Sequence, residues 1–323
     1  MLFSAAAFGT SGALAKGLLA SGWTPAAAVT WRVAIGAAVL AVPALLSMRG
    51  RWHTLRTGWP TVLLFGVIAV AGCQLAYFLA VERLSVAVAL LLEFSGVLLV
   101  VLWLWARRGQ RPRPLTVAGS IIAVIGLVLI LDVFGVVRLD PVGVFWGLVA
   151  AAGLASYFIL AADESHGLPP LFVAGGGLAV GTAVLLVAGG AGLVGFSWNT
   201  ADVLLAGWSV PWWLDIALLG VVAAAFAYLS GIEGARRLGS KLASFIGLSE
   251  VLFAVVWAWL LLGEMPLPVQ LFGGALILAG VALVRLDGDP APSDAPRPVG
   301  AQVPAGGEQS GQPGSVRLQQ PEP

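Results

Sequence analysis

The chain has 323 residues, of which 59% are hydrophobic and 10% are charged. A water-soluble domain carries about 25% charged residues, so this composition excludes one and indicates a polypeptide that lipid surrounds. Seventeen basic residues nearly balance sixteen acidic ones, and without a cationic excess nucleic acid is not an expected partner.

Apolar runs recur along the chain as far as Arg285. A helix needs roughly 20 apolar residues to cross the hydrocarbon core of a membrane. The first run is interpreted as a span and not as a removable signal peptide, because it lacks a basic leader and further apolar runs follow. The sequence predicts an all-α integral membrane protein of about ten transmembrane helices, at residues 2–20, 26–48, 59–80, 86–105, 114–133, 143–162, 170–190, 212–231, 242–262 and 267–286.

Basic residues are distributed unequally between alternate loops. Ten spans place both termini on one side, and loops rich in Lys and Arg stay in the cytoplasm. One set of loops holds only Arg83 and Arg138, whereas the other holds Arg49, Arg51, Arg56, Arg107, Arg108, Arg111, Arg113, Arg236, Arg237 and Lys241. We therefore expect both termini to be cytoplasmic (N-in and C-in), in a multi-pass protein of the inner cell membrane.

Two polar stretches stand apart from the spans. The connector 189–211 falls on the outer side, and its tryptophans are expected to anchor it at the membrane interface. Residues 287–323 are rich in Asp, Pro, Gly, Ser and Gln and contain too few apolar residues for a core. They predict a disordered cytoplasmic tail.

An internal repeat becomes visible when the chain is shifted by 154 residues, which superposes 83–129 on 237–283 without gaps. Both copies keep a W-x-W pattern, a P-x-P pattern and two spaced glycines. The matched pairs include Trp103/Trp257, Trp105/Trp259, Gly109/Gly263, Pro112/Pro266, Pro114/Pro268, Gly119/Gly273 and Gly126/Gly280. We expect two five-helix repeats, at 1–133 and 143–286. An odd number of spans per repeat inverts the second, as in many secondary transporters.

Three stretches carry a resemblance to a known family. They are Phe8-Gly9-Thr10-Ser11 with Lys16, Trp31-Arg32, and Ser249-Glu250-Val251-Leu252-Phe253 followed by residues 257–264 and by Gly273 and Gly280. With them the chain resembles the EamA family of the drug/metabolite transporter (DMT) superfamily over residues 1–286. The resemblance implies ten helices in two inverted repeats, a central cavity lined mainly by spans 1, 3, 4, 6, 8 and 9, and transport of small metabolites.

The chain departs from the family pattern in two places. Gly109-Gln110 stands in the first half where the second half has Gly263-Glu264. Val251 replaces the proline that often follows the acidic residue of span 9. These departures concern local helix geometry.

Charged side chains inside spans are costly in hydrocarbon, so they usually face a cavity or a partner. Glu93 lies within span 4 among small and medium-sized neighbours and is the best candidate for binding a proton or a substrate amine. A structural ion pair with Arg32 or Lys16 is the alternative. Glu250 in span 9 shares a helix face with Trp257 and is the second candidate acid.

Further candidates are basic or uncharged polar residues. Lys16 and Arg32 have long stems that can instead snorkel to the interface. Buried phenols and amides need polar partners, which a wet cavity or bonds between helices would supply equally well. The predicted substrate and ion pathway is Glu93, Glu250, Lys16, Arg32, Gln74, Tyr77, Tyr157, Tyr228 and Trp257.

Catalytic and cofactor motifs are not found in the sequence. His53 and His166 lack metal-ligand spacing, and Cys73 is the single cysteine and is interpreted as a small buried hydrophobe. We therefore expect no cofactor or metal and no enzymatic activity. We expect a secondary transporter that exports a small metabolite, amino-acid-like or drug-like compound by alternating access, with protons as the coupling ion. The alternatives are an intramembrane enzyme acting on a lipid-linked substrate, with Asp163–His166 as its nearest candidate loop, and a non-transporting membrane scaffold.

Overall fold

The computed structural model describes residues 1–81, 83, 86–109, 112–130, 140–205, 207–263 and 268–286. The predicted tail at 287–323 lies outside these residues. So do Arg111 and Arg138 of the charge comparison, and Gln110 and Glu264 of the family comparison.

Most of the described residues are helical. The α-helices are α1 (Leu2–Ala20), α2 (Pro25–Ser47), α3 (Leu55–Leu64), α4 (Cys73–Val81), α5 (Val86–Phe94), α6 (Gly96–Arg108), α7 (Pro114–Ile130), α8 (Pro141–Ala161), α9 (Pro170–Gly190), α10 (Trp212–Gly220), α11 (Ala227–Gly247), α12 (Ser249–Leu262) and α13 (Pro268–Leu286). A 3₁₀ turn covers Trp52–Thr54, and π-helical segments cover Phe65–Gly72 and Val221–Phe226. Strands β1 (Val203–Leu205) and β2 (Trp208–Val210) pair antiparallel.

Within the described residues, six helical segments are long and apolar enough to cross a membrane. Three shorter apolar helices accompany them, at Pro114–Leu129, Ser249–Leu261 and Leu271–Leu286. The prediction of a multi-pass helical membrane protein is confirmed, and the number of ten spans stays a prediction. The six long segments are Leu2–Ala20, Pro25–Ser47, Trp52–Ala80, Pro141–Ala161, Pro170–Gly190 and Trp212–Gly247.

Proline and glycine set many of the helix boundaries. Helices α2, α7, α8, α9 and α13 begin at proline, whose fixed φ suits the first helical position and whose missing N–H would have no partner there. Asp140 caps α8, and one of its carboxylate oxygens accepts the N–H of Val142 at 2.7 Å. Helices α6 and α12 both end at a left-handed glycine, Gly109 (φ 66°) and Gly263 (φ 74°).

The helices are interrupted at positions that the 154-residue shift relates. The two π-helical segments end at Gly72 and at Phe226. The stretch predicted as span 4 breaks at Ser95, and the stretch predicted as span 9 breaks at Leu248, directly before Ser249. The repeat thus extends from sequence to backbone geometry, and the breaks at Ser95 and Leu248 each lie two residues from a candidate acid, Glu93 and Glu250.

Helices α7 and α13 pack through the spaced glycines of the repeat. A Cβ added at Gly126 would lie 2.5 Å from the carbonyl oxygen of Gly273, and one added at Gly119 would lie 2.7 Å from that of Gly280. Because rising numbers on one helix meet falling numbers on the other, the two helices are antiparallel. The contact is also self-complementary, since Gly126 meets Gly273, the repeat equivalent of Gly119, and Gly119 meets Gly280, the repeat equivalent of Gly126.

The two-stranded hairpin closes one end of the helix bundle. Trp23 donates its indole N–H to the carbonyl of Asn199 at 2.9 Å, which ties the start of α2 to the connector. Both tryptophans of the connector, Trp198 and Trp208, are exposed, and so is Trp213 at the start of α10. We name the buried cluster beneath the hairpin the hairpin seal; it comprises Leu14, Leu18, Trp23, Ala27, Ala28, Val203, Leu205, Ile216, Leu219 and Ala223.

The loop between α8 and α9 holds a buried histidine. His166 accepts the backbone N–H of Leu168 at its Nδ1 atom, at 3.1 Å, and its Cβ lies close to Gly58 of α3. Burial lowers the pKa of His166, while the nearby Asp163 carboxylate acts in the opposite direction. The ring therefore serves as a neutral acceptor that shapes the loop.

We expect Gly126→Val to destabilise the protein by about 1–3 kcal/mol, because the added side chain must push α13 away. The measurement is the melting temperature of the purified protein in detergent, which should fall by several degrees. Gly12→Val is the matched control, since Gly12 is an exposed helical residue with nothing within 4 Å of its added Cβ. Equal melting temperatures for the two variants would contradict the close packing.

We expect the His166 loop to lose stability in mild acid. A folded-state pKa below the unfolded value of about 6.5 means that the unfolded chain binds the proton more tightly. The stabilising contribution is present above pH 6.5 and is lost as the pH falls through the folded pKa. His166→Asn keeps an acceptor near the position of Nδ1 but does not titrate. Melting curves from pH 7.5 to 5 should fall more steeply for the native chain than for this variant, and parallel curves would refute the role.

Candidate functional site

A cavity of about 50 Å³ lies inside the helix bundle, where the interrupted helices meet. Helices from both halves of the chain contribute to its wall. It is lined by Met1, Ser4, Ala5, Phe8, Ala69, Cys73, Gln74, Glu93, Phe94, Leu154, Tyr157, Phe158, Tyr228, Gly247 and Glu250. We name it the central cavity.

Arg32 of α2 is buried beside the central cavity, with 3% of its surface exposed. Its guanidinium donates to the side-chain oxygen of Gln74 at 3.1 Å and to the carbonyl oxygen of Ala223 at 2.6 Å. The guanidinium carbon also lies 5.8 Å from the ring centroid of Phe8, within the range of a cation–π contact. The Ala223 carbonyl belongs to a π-helical segment, a local geometry common at functional sites.

Glu93 is buried near the end of α5 and contacts the thiol of Cys73. The distance from the Cys73 sulfur to the Glu93 Oε1 atom is 3.5 Å, and the same sulfur lies 3.4 Å from the carbonyl oxygen of Ala150. A thiol has one proton and can donate to one of these oxygens at a time. Gly153 makes this approach possible, because a Cβ there would lie 2.6 Å from the Cβ of Cys73.

Glu250 lines the central cavity from the first turn of α12 and is half-buried. The 154-residue shift pairs Glu93 with Gly247 and Gly96 with Glu250. Each half of the chain thus carries one carboxylate and one glycine at the same two positions, in exchanged order. The glycines allow close approach of α8, since a Cβ at Gly247 would lie 2.6 Å from the Phe158 ring.

Aromatic rings form the rest of the wall. The ring centroids of Phe8 and Tyr228 are 5.0 Å apart, those of Tyr157 and Phe158 are 5.0 Å apart, and those of Tyr157 and Tyr228 are 5.8 Å apart. All three pairs meet edge to face, an arrangement that stabilises packed rings beyond their burial. The buried hydroxyl of Tyr157 lies beside the side chain of Ser4.

The structure brings most of the predicted pathway residues to this place. Glu93, Glu250, Gln74, Tyr157 and Tyr228 line the central cavity. Arg32 binds Gln74 at its edge, and Tyr77 interacts electrostatically with both glutamates and with Arg32.

Two of the predicted pathway residues lie elsewhere. Trp257 donates its indole N–H to the carbonyl of Ala6 at 2.9 Å and so joins α12 to α1. Lys16 is exposed on the outside of α1.

The glutamates do not take Arg32 as a direct partner in the described structure. Both carboxylates interact with its charge electrostatically, but its donors go to Gln74 and Ala223. The site therefore places two carboxylates within electrostatic reach of the Arg32 guanidinium.

Sequence reasoning missed two polar groups. The sequence indicates only that Cys73 is a small buried hydrophobe. Its contact with Glu93 joins two helices, and such a contact leaves no signal in the spacing of residues. Asp215 is fully buried within α10, in the run Trp212-Trp213-Leu214-Asp215-Ile216. It had the signal that singled out Glu93, namely one acid in an apolar run.

Known proteins resemble the chain along most of its length. Residues 1–132 and 141–286 match the EamA-like transporter family. The uncharacterized inner membrane transporter YicL of Salmonella typhimurium is 26% identical over 230 residues, covering 70% of this chain and 73% of that protein. The threonine/homoserine exporter RhtA of Escherichia coli is 30% identical over 224 residues, covering 68% of this chain and 69% of the exporter.

A solved crystal structure has a similar fold. Its sequence is 22% identical, its TM-score is 0.70, and the similarity covers 88% of this chain and 94% of that chain. This similarity concerns the fold alone. The match to the family extends over nearly the whole chain. The chain therefore belongs to the EamA-like transporter family.

Proposed function

We propose that this protein is a secondary transporter that exports a small metabolite across the cell membrane by alternating access, in exchange for protons. The observation that carries the proposal is the central cavity, where interrupted helices of both halves hold Glu93 and Glu250 near the single guanidinium of Arg32. Similarity to an exporter of threonine and homoserine favours an amino-acid-like compound as the cargo.

The architecture that we propose has ten spans in two inverted repeats, at 1–133 and 143–286, with both termini in the cytoplasm. The interruptions that recur after 154 residues support two copies of one unit. The antiparallel, self-complementary contact of α7 with α13 supports their inversion, because these helices are equivalent in the two copies. Basic residues on alternate loops support the orientation.

The cavity of about 50 Å³ has room for a few water molecules but is much smaller than a typical ligand pocket of about 300–1,000 Å³. Binding a metabolite therefore requires the surrounding helices to move apart. The hairpin seal closes one end, and at the other end of α1 the cavity reaches Met1, which packs against Gly234 of α11. We propose that these two contacts open in turn.

The charges suggest how protons are coupled to substrate. Two carboxylates and one guanidinium leave one negative charge in a place of low dielectric, where an unpaired charge costs several kcal/mol. A proton on Glu93 or the ammonium group of a substrate would each offset it. Because the proton and the substrate ammonium group offset the same negative charge, they compete for the site. This competition exchanges protons for substrate across the membrane.

We expect Glu93→Gln to reduce the rate of transport at least tenfold at the best pH of the native protein and to weaken its pH dependence, because the amide cannot release a proton. The measurement is flux into liposomes of labelled threonine, other amino acids and nucleosides, over a range of internal and external pH. Glu233→Gln is the control, since Glu233 is partly exposed and pairs with Arg237 at 2.6 Å.

Undiminished flux of Glu93→Gln at every pH would remove this residue from the mechanism. Chemical conversion of a lipid-linked substrate without flux would indicate the enzymatic alternative. Neither flux nor conversion would favour a scaffold.

We expect cysteines at Arg107 and Arg237 to react with a membrane-impermeant maleimide from the cytoplasmic side, and a cysteine at Thr200 from the outer side. All three residues are exposed. The native chain controls for background, because Cys73 is buried. Labelling of positions 107 and 237 from opposite sides would refute the inverted repeat.

A further inference from the structure

Asp215 lies on the face of α10 that packs into the hairpin seal. Ile216 and Leu219 of the same helix belong to the seal, and Trp212 packs against it with its ring centroid 6.1 Å from that of Trp23. Residues three and four apart share a helix face, so Asp215 lies between Trp212 and Leu219 on this buried face. Its exposed surface is 0%.

Both carboxylate oxygens of Asp215 are buried and have no hydrogen-bond partner among the described residues. Nearly all buried polar atoms in proteins have such a partner, so an exception calls for a reason. An ionised carboxylate in this position would be far more costly than a neutral carboxyl group, because nothing replaces the water that it has lost.

The charged groups on the elements around Asp215 face elsewhere. On α1, Lys16 is exposed, and on α2, Arg32 donates to Gln74 and to the Ala223 carbonyl. On α12, Glu250 lines the central cavity.

The remaining neighbours offer no charge to Asp215 either. In the hairpin connector, Asp202 is exposed and accepts a bond from Ser209 at 3.2 Å. The π-helical segment Val221–Phe226 contains no ionisable residue. Within the described chain, no neighbouring charge offsets the burial of the Asp215 carboxyl group.

We propose that Asp215 is a second proton-binding site, separate from the central cavity, which carries a proton while the hairpin seal is packed and releases it to water when the seal opens. The sealed state then holds one proton more than the open state, so acid favours the sealed state. The opening itself rests on the proposed transport cycle, but the linkage of the proton to the seal is a property of this end of the bundle alone.

The experiment measures how readily the seal opens. Ala28→Cys places a thiol inside the hairpin seal, where Ala28 is 1% exposed. Thr200→Cys places a thiol at an exposed position of the connector 189–211. The full chain in liposomes is treated with a small maleimide at several pH values. The ratio of the two labelling rates removes the effect of pH on thiol reactivity.

With Asp215 present, we expect the ratio to fall by up to about tenfold per pH unit as the pH is lowered, the limit for one linked proton. Asp215→Asn and Asp215→Leu lack the titrating group, so their ratios should stay low and constant. A native ratio that does not change with pH, or variants that keep the native pH dependence, would overturn the proposal.

Infrared spectroscopy gives a second readout on the assembled protein. The native chain at neutral pH should show the carbonyl stretch of a protonated carboxyl group that is missing in Asp215→Asn. A difference spectrum without this band would also refute the site. If the labelling and the band behave as expected in liposomes that show no flux, the proposed function fails and this proton site stands.

Discussion

The guanidinium of Arg32 holds together the elements on which the central cavity depends. A lipid-embedded protein has no bulk water to satisfy a buried cation, so every donor needs a protein acceptor. Gln74 supplies one acceptor from α4 and Ala223 supplies another from the π-helical segment of the second half. The cation therefore joins both halves of the chain near the two glutamates, and among the described residues its Nε atom has no hydrogen-bond partner.

The exchange of glutamate and glycine between the halves explains how one fold makes an unequal site. Glu93 and Gly96 occupy the positions that Gly247 and Glu250 occupy in the other copy. A glycine where the other copy has a carboxylate leaves room for α8 to approach, so each acid faces a different surrounding. Glu93 meets the Cys73 thiol, whereas Glu250 lines the cavity from the first turn of α12. Two similar halves can thereby present two chemically distinct acids.

The two ends of the bundle are closed by different means. At one end, large apolar side chains and two short strands cover α1, and Asp215 is buried among them. At the other, the start of α1 packs against glycine-bearing surface of α11 at Gly234. When the apolar side chains of the hairpin seal separate, exposing their surface to water costs free energy. Ionisation of Asp215 in water can offset this cost. The closure at Gly234 rests on the close approach of Met1 to a residue without a side chain.

Composition and pattern alone determined that the chain is helical and lies in a membrane, because lipid permits few polar residues and allows only structures whose backbone bonds are satisfied internally. The 154-residue repeat also lay in the sequence, since W-x-W, P-x-P and the spaced glycines survive in linear order. Tertiary structure decided which polar residues meet. The packing of helices distant in the chain leaves Lys16 exposed, brings Cys73 to Glu93 and leaves Asp215 without a hydrogen-bond partner among the described residues. The spacing of residues within one helix carries no record of such contacts.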